Sequence, residues 1–113
     1  MSRNWRLFLQ DIVEACEKIL RYTSGLDFEA FTKSDVVYDA VLRNLEIIGE
    51  SAKKIPIEIR QQFPNIEWRA IAGLRDVLAH AYFAVDDATL WDIVQNKVPK
   101  LLLQVRDILE GEG

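Results

Sequence analysis

Cysteine and histidine are almost absent from this sequence, which has one of each among its 113 residues. A single cysteine cannot form a disulfide within the chain, and one Cys with one His cannot supply the four ligands of a structural zinc site. A serine or cysteine nucleophile would have only His80 as a histidine base. Acid–base chemistry near neutral pH therefore depends on His80 or on a carboxylate with a perturbed pKa. Cys16 lies within an apolar stripe, which favours buried packing for its side chain.

Long apolar runs are also missing from the sequence. No stretch reaches the roughly 18 consecutive apolar residues of a membrane-spanning helix, so a transmembrane span is excluded. The N-terminal residues MSRNWRLFLQD have neither an uninterrupted apolar segment nor a small-residue cleavage site, so no secretory signal is expected. Together with the lone cysteine, these absences predict a cytoplasmic protein.

Positive charge is scarce, with 14 Lys and Arg against 18 Asp and Glu and a net charge of −4. Proteins that hold duplex DNA by broad phosphate neutralisation usually present a basic face, and this sequence has no long basic run. Any contact with nucleic acid must therefore be local and use few cations. The 5 glycines are scattered, which excludes a glycine-rich phosphate loop.

The apolar residues recur at intervals of three and four almost throughout, and no segment alternates with a period of two. This pattern predicts an all-α bundle of about four main helices with one or two short connecting helices, in a single domain over residues 1–113. The expected core stripes are Leu9, Ile12, Val13, Cys16, Ile19 and Leu20; Val37, Val41, Leu45, Ile48 and Ala52; and Leu90, Ile93, Val94, Val98, Leu101, Leu102, Val105 and Ile108.

Capping residues and prolines predict the helix ends. Asn4 or Ser2 begins the first helix and Gly25 ends it, FEAFTK forms one or two turns, and Ser34 caps the next helix. A short helix is then expected over 56–63, with Pro56 as its first residue. A longer helix is expected from Ile66 to about Tyr82, with Asn65 as its cap. The last helix should begin near Asp86 and Asp87, and Pro99 should kink or break it.

The segment GLRDVLAHAYF, residues 73–83, contains the lone histidine. On a helix, Arg75 and His80 are about 140° apart, Arg75 and Tyr82 share a face, and Asp76 can contact His80 four residues later. A carboxylate beside an imidazole favours the charged imidazolium and orients the ring. A catalytic group is one interpretation of these residues. Taken alone, however, they are more often a packed or capping histidine, a surface arginine and a tyrosine at the rim of a packed face.

The Arg75-x4-His80-x-Tyr82 spacing resembles the signature of the HEPN superfamily, and specifically of the HepT-like toxins of prokaryotic toxin–antitoxin pairs. Three further segments resemble the same group in order: residues 43–56, residues 64–75, and the sequence from Asp86 onward with Leu90-Trp91-Asp92 and Val98-Pro99. The resemblance extends over residues 34–109. It implies a HEPN-like helical bundle.

The resemblance implies a metal-independent endoribonuclease, without a cofactor, that cleaves RNA (tRNA or mRNA). Arg75 and His80 are its implied catalytic pair. A neutral-range base can take the proton of the 2′-hydroxyl, and a permanent cation can stabilise charge on the phosphoryl oxygens, which are roles that suit His80 and Arg75. Because the two positions diverge around one helix, we expect a homodimer that gathers both motifs in one cleft.

The resemblance also implies a partner, the minimal nucleotidyltransferase that serves as antitoxin. It implies that Tyr82 accepts AMP from that enzyme, which would add negative charge and bulk at the mouth of the site.

One position departs from the family pattern, because Asp76 stands where Asn is common. Asp76 can still orient His80, but it places negative charge beside Arg75. Glu50 is a further candidate supporting residue near the cleft, although a helix-surface carboxylate is an equally good interpretation. The alternative function is a catalytically inactive helical binding partner of a minimal nucleotidyltransferase, which the net negative charge and Asp76 favour.

Overall fold

The computed structural model describes residues 4–80 and 86–112, with side chains for 4–74 and 86–111. Its helices are α1 (Trp5–Thr23), α2 (Phe28–Lys33), α3 (Asp35–Lys53), α4 (Ile57–Gln62), α5 (Trp68–His80), α6 (Asp87–Asp92) and α7 (Val98–Glu112), with a π-helical turn at Ile93–Lys97. No strand occurs in these two ranges. The all-α prediction is therefore confirmed, with α1, α3, α5 and the final α6–α7 segment as the main helices.

The first three helices begin where short polar side chains can cap them. Asn4 Oδ1 accepts a 2.8 Å hydrogen bond from the backbone N–H of Arg6, and Asp27 Oδ1 accepts one of the same length from Ala30. Ser34 Oγ accepts from the N–H of Val37 at 3.3 Å, as predicted. Such caps satisfy N–H groups that have no partner within the helix.

The prediction that Asn65 caps a helix beginning at Ile66 is wrong, because α5 begins at Trp68. Ile66 is only 3% exposed, and it belongs to a turn in which its N–H donates to the carbonyl of Phe63 at 3.2 Å. The indole Nε1 of Trp68 donates to the same carbonyl at 3.0 Å. Burial of Ile66 and Trp68 thus selects a turn where the local pattern favours a helix. Pro56 likewise precedes α4 instead of beginning it.

The predicted break at Pro99 is confirmed and takes the form of the π-helical turn. The N–H of Val98 donates to the carbonyl of Ile93, five residues earlier. Proline has no N–H and its ring crowds the preceding turn, so an α-helix cannot continue through it without loss of a hydrogen bond. The wider turn places Pro99 in the first turn of α7, where the missing N–H costs little.

The packing order of the main helices is α5, α3, α1 and α7. Most of the buried core side chains come from the predicted stripes, whose remaining members Val13, Leu20, Val37 and Ile93 are partly buried against the core. The stripes missed five buried residues: Ala15, Phe31, Ile55, Ile66 and Trp68. Cys16 is fully buried as predicted, and desolvation by burial raises the pKa of its thiol to about 12. In the described part of the chain, no helix is long and apolar enough to cross a bilayer.

An aromatic cluster joins the short helices to the bundle. The Phe31 ring lies 5.0 Å from the Trp91 ring and 5.4 Å from the Tyr38 ring, centroid to centroid. The Tyr38 hydroxyl donates a 2.7 Å hydrogen bond to Asp87 Oδ1. These contacts fasten α2 and the beginning of α6 to α3, and so position the start of the final helical segment.

Candidate functional site

Helix α5 contains three of the predicted site residues. Arg75, Asp76 and His80 all lie in its second half, and His80 is its last residue. The helix is continuous between them, so the register assumed for Arg75 and His80 holds for the backbone. Tyr82 lies outside the described residues, as do the side chains of the other three, so the Asp76–His80 contact remains a prediction.

Helix α5 lies at one side of the bundle, and among the described residues the helix that it contacts most extensively is α3. In its first half, Trp68 is buried, whereas Arg69 and Ala70 are exposed. Gly73 is half-exposed, and a Cβ built on it would meet no atom within 4 Å. One side of α5 is therefore packed, and another is open to a substrate or to a second chain.

Glu50 lies near the end of α3, the helix on which α5 packs, and its side chain is half-buried. The neighbouring Gly49 is buried. This location is consistent with the supporting role predicted for Glu50, which remains a prediction because the side chains of Arg75 and His80 are not described.

An apolar groove separates α5 from the final helical segment and was not predicted from the sequence. It encloses a cavity of about 60 Å³, and its walls include Leu45 and Ile48 of α3, Ile71 and Leu74 of α5, and Leu101 of α7. Lys97 and Lys100 line the same groove, and the Gln104 side chain crosses to the carbonyl of Asn65 at 3.1 Å. The groove combines residues that are far apart in the sequence, so no local pattern could have revealed it.

Three cations in the described part of the chain have no hydrogen-bond, ion-pair or aromatic partner: Arg69, Lys97 and Lys100. The other lysine and arginine side chains there are engaged. All three free cations line concave surfaces bordered by α5. The overall net charge of −4 does not indicate that these cations are available, two in the apolar groove and one in a second concave surface.

The described side chains include no group of three or more His, Cys, Asp or Glu that could hold a metal ion.

Comparison with known proteins places these features in a family. A family model described as "Ribonuclease HepT-like" matches residues 12–108. A Thermococcus cleftensis protein provisionally named ribonuclease HepT is 44% identical over 101 residues, covering 89% of this chain and 92% of the relative. Proteins of Caldanaerobacter subterraneus and Methanocaldococcus jannaschii, each provisionally named an RNase, are 39% identical and cover 95% and 92% of this chain. No solved structure gave a significant match.

The match makes this chain a ribonuclease by family, and the particular family is the HepT-like one, to which the chain belongs. The matched residues run from within α1 to within α7 and include the whole of α5. The resemblance inferred from the Arg75-x4-His80 spacing and the three further segments is thus confirmed.

Proposed function

We propose that this protein is a metal-independent endoribonuclease that acts as the toxin of a prokaryotic toxin–antitoxin pair in the cytoplasm. Membership of the HepT-like ribonuclease family is the observation that carries the proposal. The location of Arg75 and His80 on one continuous helix at the side of the bundle supports it. The substrate is RNA, of the tRNA or mRNA class.

The chemistry follows from the two residue types. His80 takes the proton of a ribose 2′-hydroxyl, and the resulting oxygen attacks the adjacent phosphorus. Arg75 stabilises the negative charge that develops on the phosphoryl oxygens. The bond from phosphorus to the 5′ oxygen breaks, and that oxygen receives a proton from a second histidine, which acts as the protonated imidazolium. The products are a 2′,3′-cyclic phosphate and a 5′-hydroxyl, and DNA is not cleaved because it lacks the attacking group.

A homodimer supplies the second imidazole, since each chain has one histidine. Positions 75 and 80 diverge by about 140° around the α5 axis, so a single helix does not direct both toward one phosphate. A twofold axis beside the open face of α5 would bring two copies of each residue into one cleft. Asp76 orients His80 by a contact one helical turn apart, and Glu50 supports the same cleft from α3.

Regulation falls to a minimal nucleotidyltransferase partner, the antitoxin, which transfers AMP to Tyr82. Each added AMP brings a phosphate and a nucleoside close to the catalytic helix, so like charge and bulk exclude RNA. Mass spectrometry after co-expression tests this step, and an unmodified Tyr82 would count against it.

The decisive experiment incubates purified protein with a labelled RNA in the presence of EDTA. Wild-type protein should cleave the RNA and leave a cyclic phosphate at the new 3′ end, whereas Arg75→Ala and His80→Ala should each lose at least about 100-fold in rate. A DNA of the same sequence is the matched control. Cleavage that persists in both variants, or that EDTA abolishes, would contradict the proposed chemistry.

A second function is favoured by the net charge of −4 and by Asp76, which places a carboxylate beside Arg75. In it, the chain is a catalytically inactive helical binding partner of a minimal nucleotidyltransferase. Growth on expression separates the two functions. Arrest by the wild type that both substitutions relieve supports the nuclease, and identical behaviour of all three supports the inactive partner.

A further inference from the structure

The N-terminal end of α5 borders a second concave surface, which we call the Arg69 concavity. Its lining includes Arg60, Gln61, Pro64, Glu67, Trp68 and Arg69. Two guanidinium groups therefore line one surface depression, and Glu67 supplies the one carboxylate among its described lining residues. Because the rest of the chain carries an excess of negative charge, a concave surface with two arginines is unusual for this molecule.

Both arginines have donors available for a ligand. Arg69 is exposed and has no partner among the described residues. Arg60 is half-buried, and its Nε donates a 2.9 Å hydrogen bond to the carbonyl of Ile55. That bond fixes the Arg60 side chain and leaves its two Nη groups for a ligand. A held guanidinium beside a free one is a suitable pair for phosphate, because arginine donors match phosphate oxygens.

The helix register connects this concavity to the proposed catalytic position. Residues 69, 73 and 80 are spaced by four and seven, so they fall within about 40° of one another around the α5 axis. Between positions 69 and 80 this face passes Gly73, where there is no side chain and a Cβ would meet nothing within 4 Å, and then position 76, which is an aspartate. A strand of nucleic acid can therefore approach the helix closely at Gly73.

The distance along α5 sets the number of nucleotides involved. Eleven residues rise by about 16 Å, which is roughly five stacked nucleotides at about 3.4 Å each. We propose that Arg69, with Arg60, binds a backbone phosphate of the RNA substrate about five nucleotides from the bond that is cut. The proposal rests on the proposed ribonuclease function, and it assigns Arg69 to substrate binding and not to the chemical step.

The test measures RNA binding in the His80→Ala protein, which should hold RNA without cutting it. Fluorescence anisotropy of a labelled 12-nucleotide RNA is recorded over a salt series. Arg69→Gln should weaken binding about 3- to 10-fold at low salt and reduce the slope of log K against log salt by about 0.7. Glu67→Gln should strengthen binding, because it removes the only carboxylate identified in the concavity.

Arg21→Gln is the matched control, since Arg21 is an exposed arginine at the end of α1 whose guanidinium lies 5.3 Å from the centre of the Tyr22 ring. It makes the same change in net charge away from α5. A second arm uses cleavage by proteins with intact His80 on RNAs of two to twelve nucleotides. Wild-type kcat/KM should rise as the RNA passes about five nucleotides, whereas that of Arg69→Gln should not.

Equal binding by Arg69→Gln and Arg21→Gln, with cleavage by the wild type intact, would overturn the Arg69 proposal and leave the ribonuclease function standing. If Arg69→Gln bound poly-L-glutamate more weakly but RNA as tightly as before, the Arg69 proposal would be overturned in favour of an acidic protein partner. A wild-type protein that cleaves no RNA of any length would instead refute the ribonuclease function, and the Arg69 proposal with it.

Discussion

Truncation of Ile48 to alanine should destabilise the protein more than any comparable change on its surface. Ile48 is 1% exposed on α3, at the base of the apolar groove beside α5. Loss of three buried carbons costs about 2.4 kcal/mol at roughly 0.8 kcal/mol each. The existing cavity of about 60 Å³ would grow, which raises the total cost to about 3–4 kcal/mol.

Urea denaturation followed by circular dichroism measures this free energy, and a thermal scan checks it independently. With 113 residues, the entropy of unfolding is about 0.24 kcal/mol per kelvin at the midpoint, so the Tm should fall by about 12–16 °C. Ile57→Ala is the matched control, because Ile57 is 60% exposed, and it should change the stability by no more than about 0.5 kcal/mol.

Ile48→Val covers the case in which the alanine variant does not fold, and it should cost about 0.5–1.5 kcal/mol. Equal losses for Ile48→Ala and Ile57→Ala, or a loss below about 1 kcal/mol for Ile48→Ala, would refute the assignment of this α3 face to the core.

Three further predictions concern single groups. The pKa of the Cys16 thiol rises from 9.0 in the unfolded chain to about 12 in the folded one. The free energy of unfolding should therefore fall by about 1.4 kcal/mol per pH unit above pH 9. Urea denaturation at several pH values measures this slope, which should be flatter in Cys16→Ala. Gly25→Ala should lower the free energy of unfolding by about 1–2 kcal/mol in the same assay, because Gly25 has a φ of +78°, which disfavours residues with a side chain. A Cβ at this position would meet no atom within 4 Å, so the backbone conformation alone sets the loss, and an unchanged midpoint would contradict it. Burial and the bond to Asp87 raise the pKa of Tyr38 to about 12, so phenolate absorbance should show a late transition that Tyr38→Phe removes.

The periodic stripes allowed most of the bundle to be predicted, because a residue's burial on an amphipathic helix depends mainly on its own position in the repeat. Val41, Leu45, Ile48 and Ala52 are all buried on α3 as the intervals required. Ser34 and Gly25 were also predictable, since a capping side chain and a left-handed glycine act within a few residues.

The beginning of α5 could not be predicted in the same way. Asn65 is a good capping residue, but Ile66 and Trp68 are buried and Trp68 bonds to the Phe63 carbonyl, so α5 starts later. These contacts depend on the position of the neighbouring helices, which no local preference contains.

For the site, the residue types and spacing of Arg75 and His80 are properties of the chain order, and together with the three further segments they were sufficient to identify the family. The free cations Arg69, Lys97 and Lys100 became recognisable only when the helices were packed together, because whether a charge is paired depends on which side chains lie around it. The amino-acid order therefore specifies most of the helices and the motif proposed to be catalytic. Which side of α5 is open to solvent depends only on the packing, since helix α3 covers one side and leaves the other exposed.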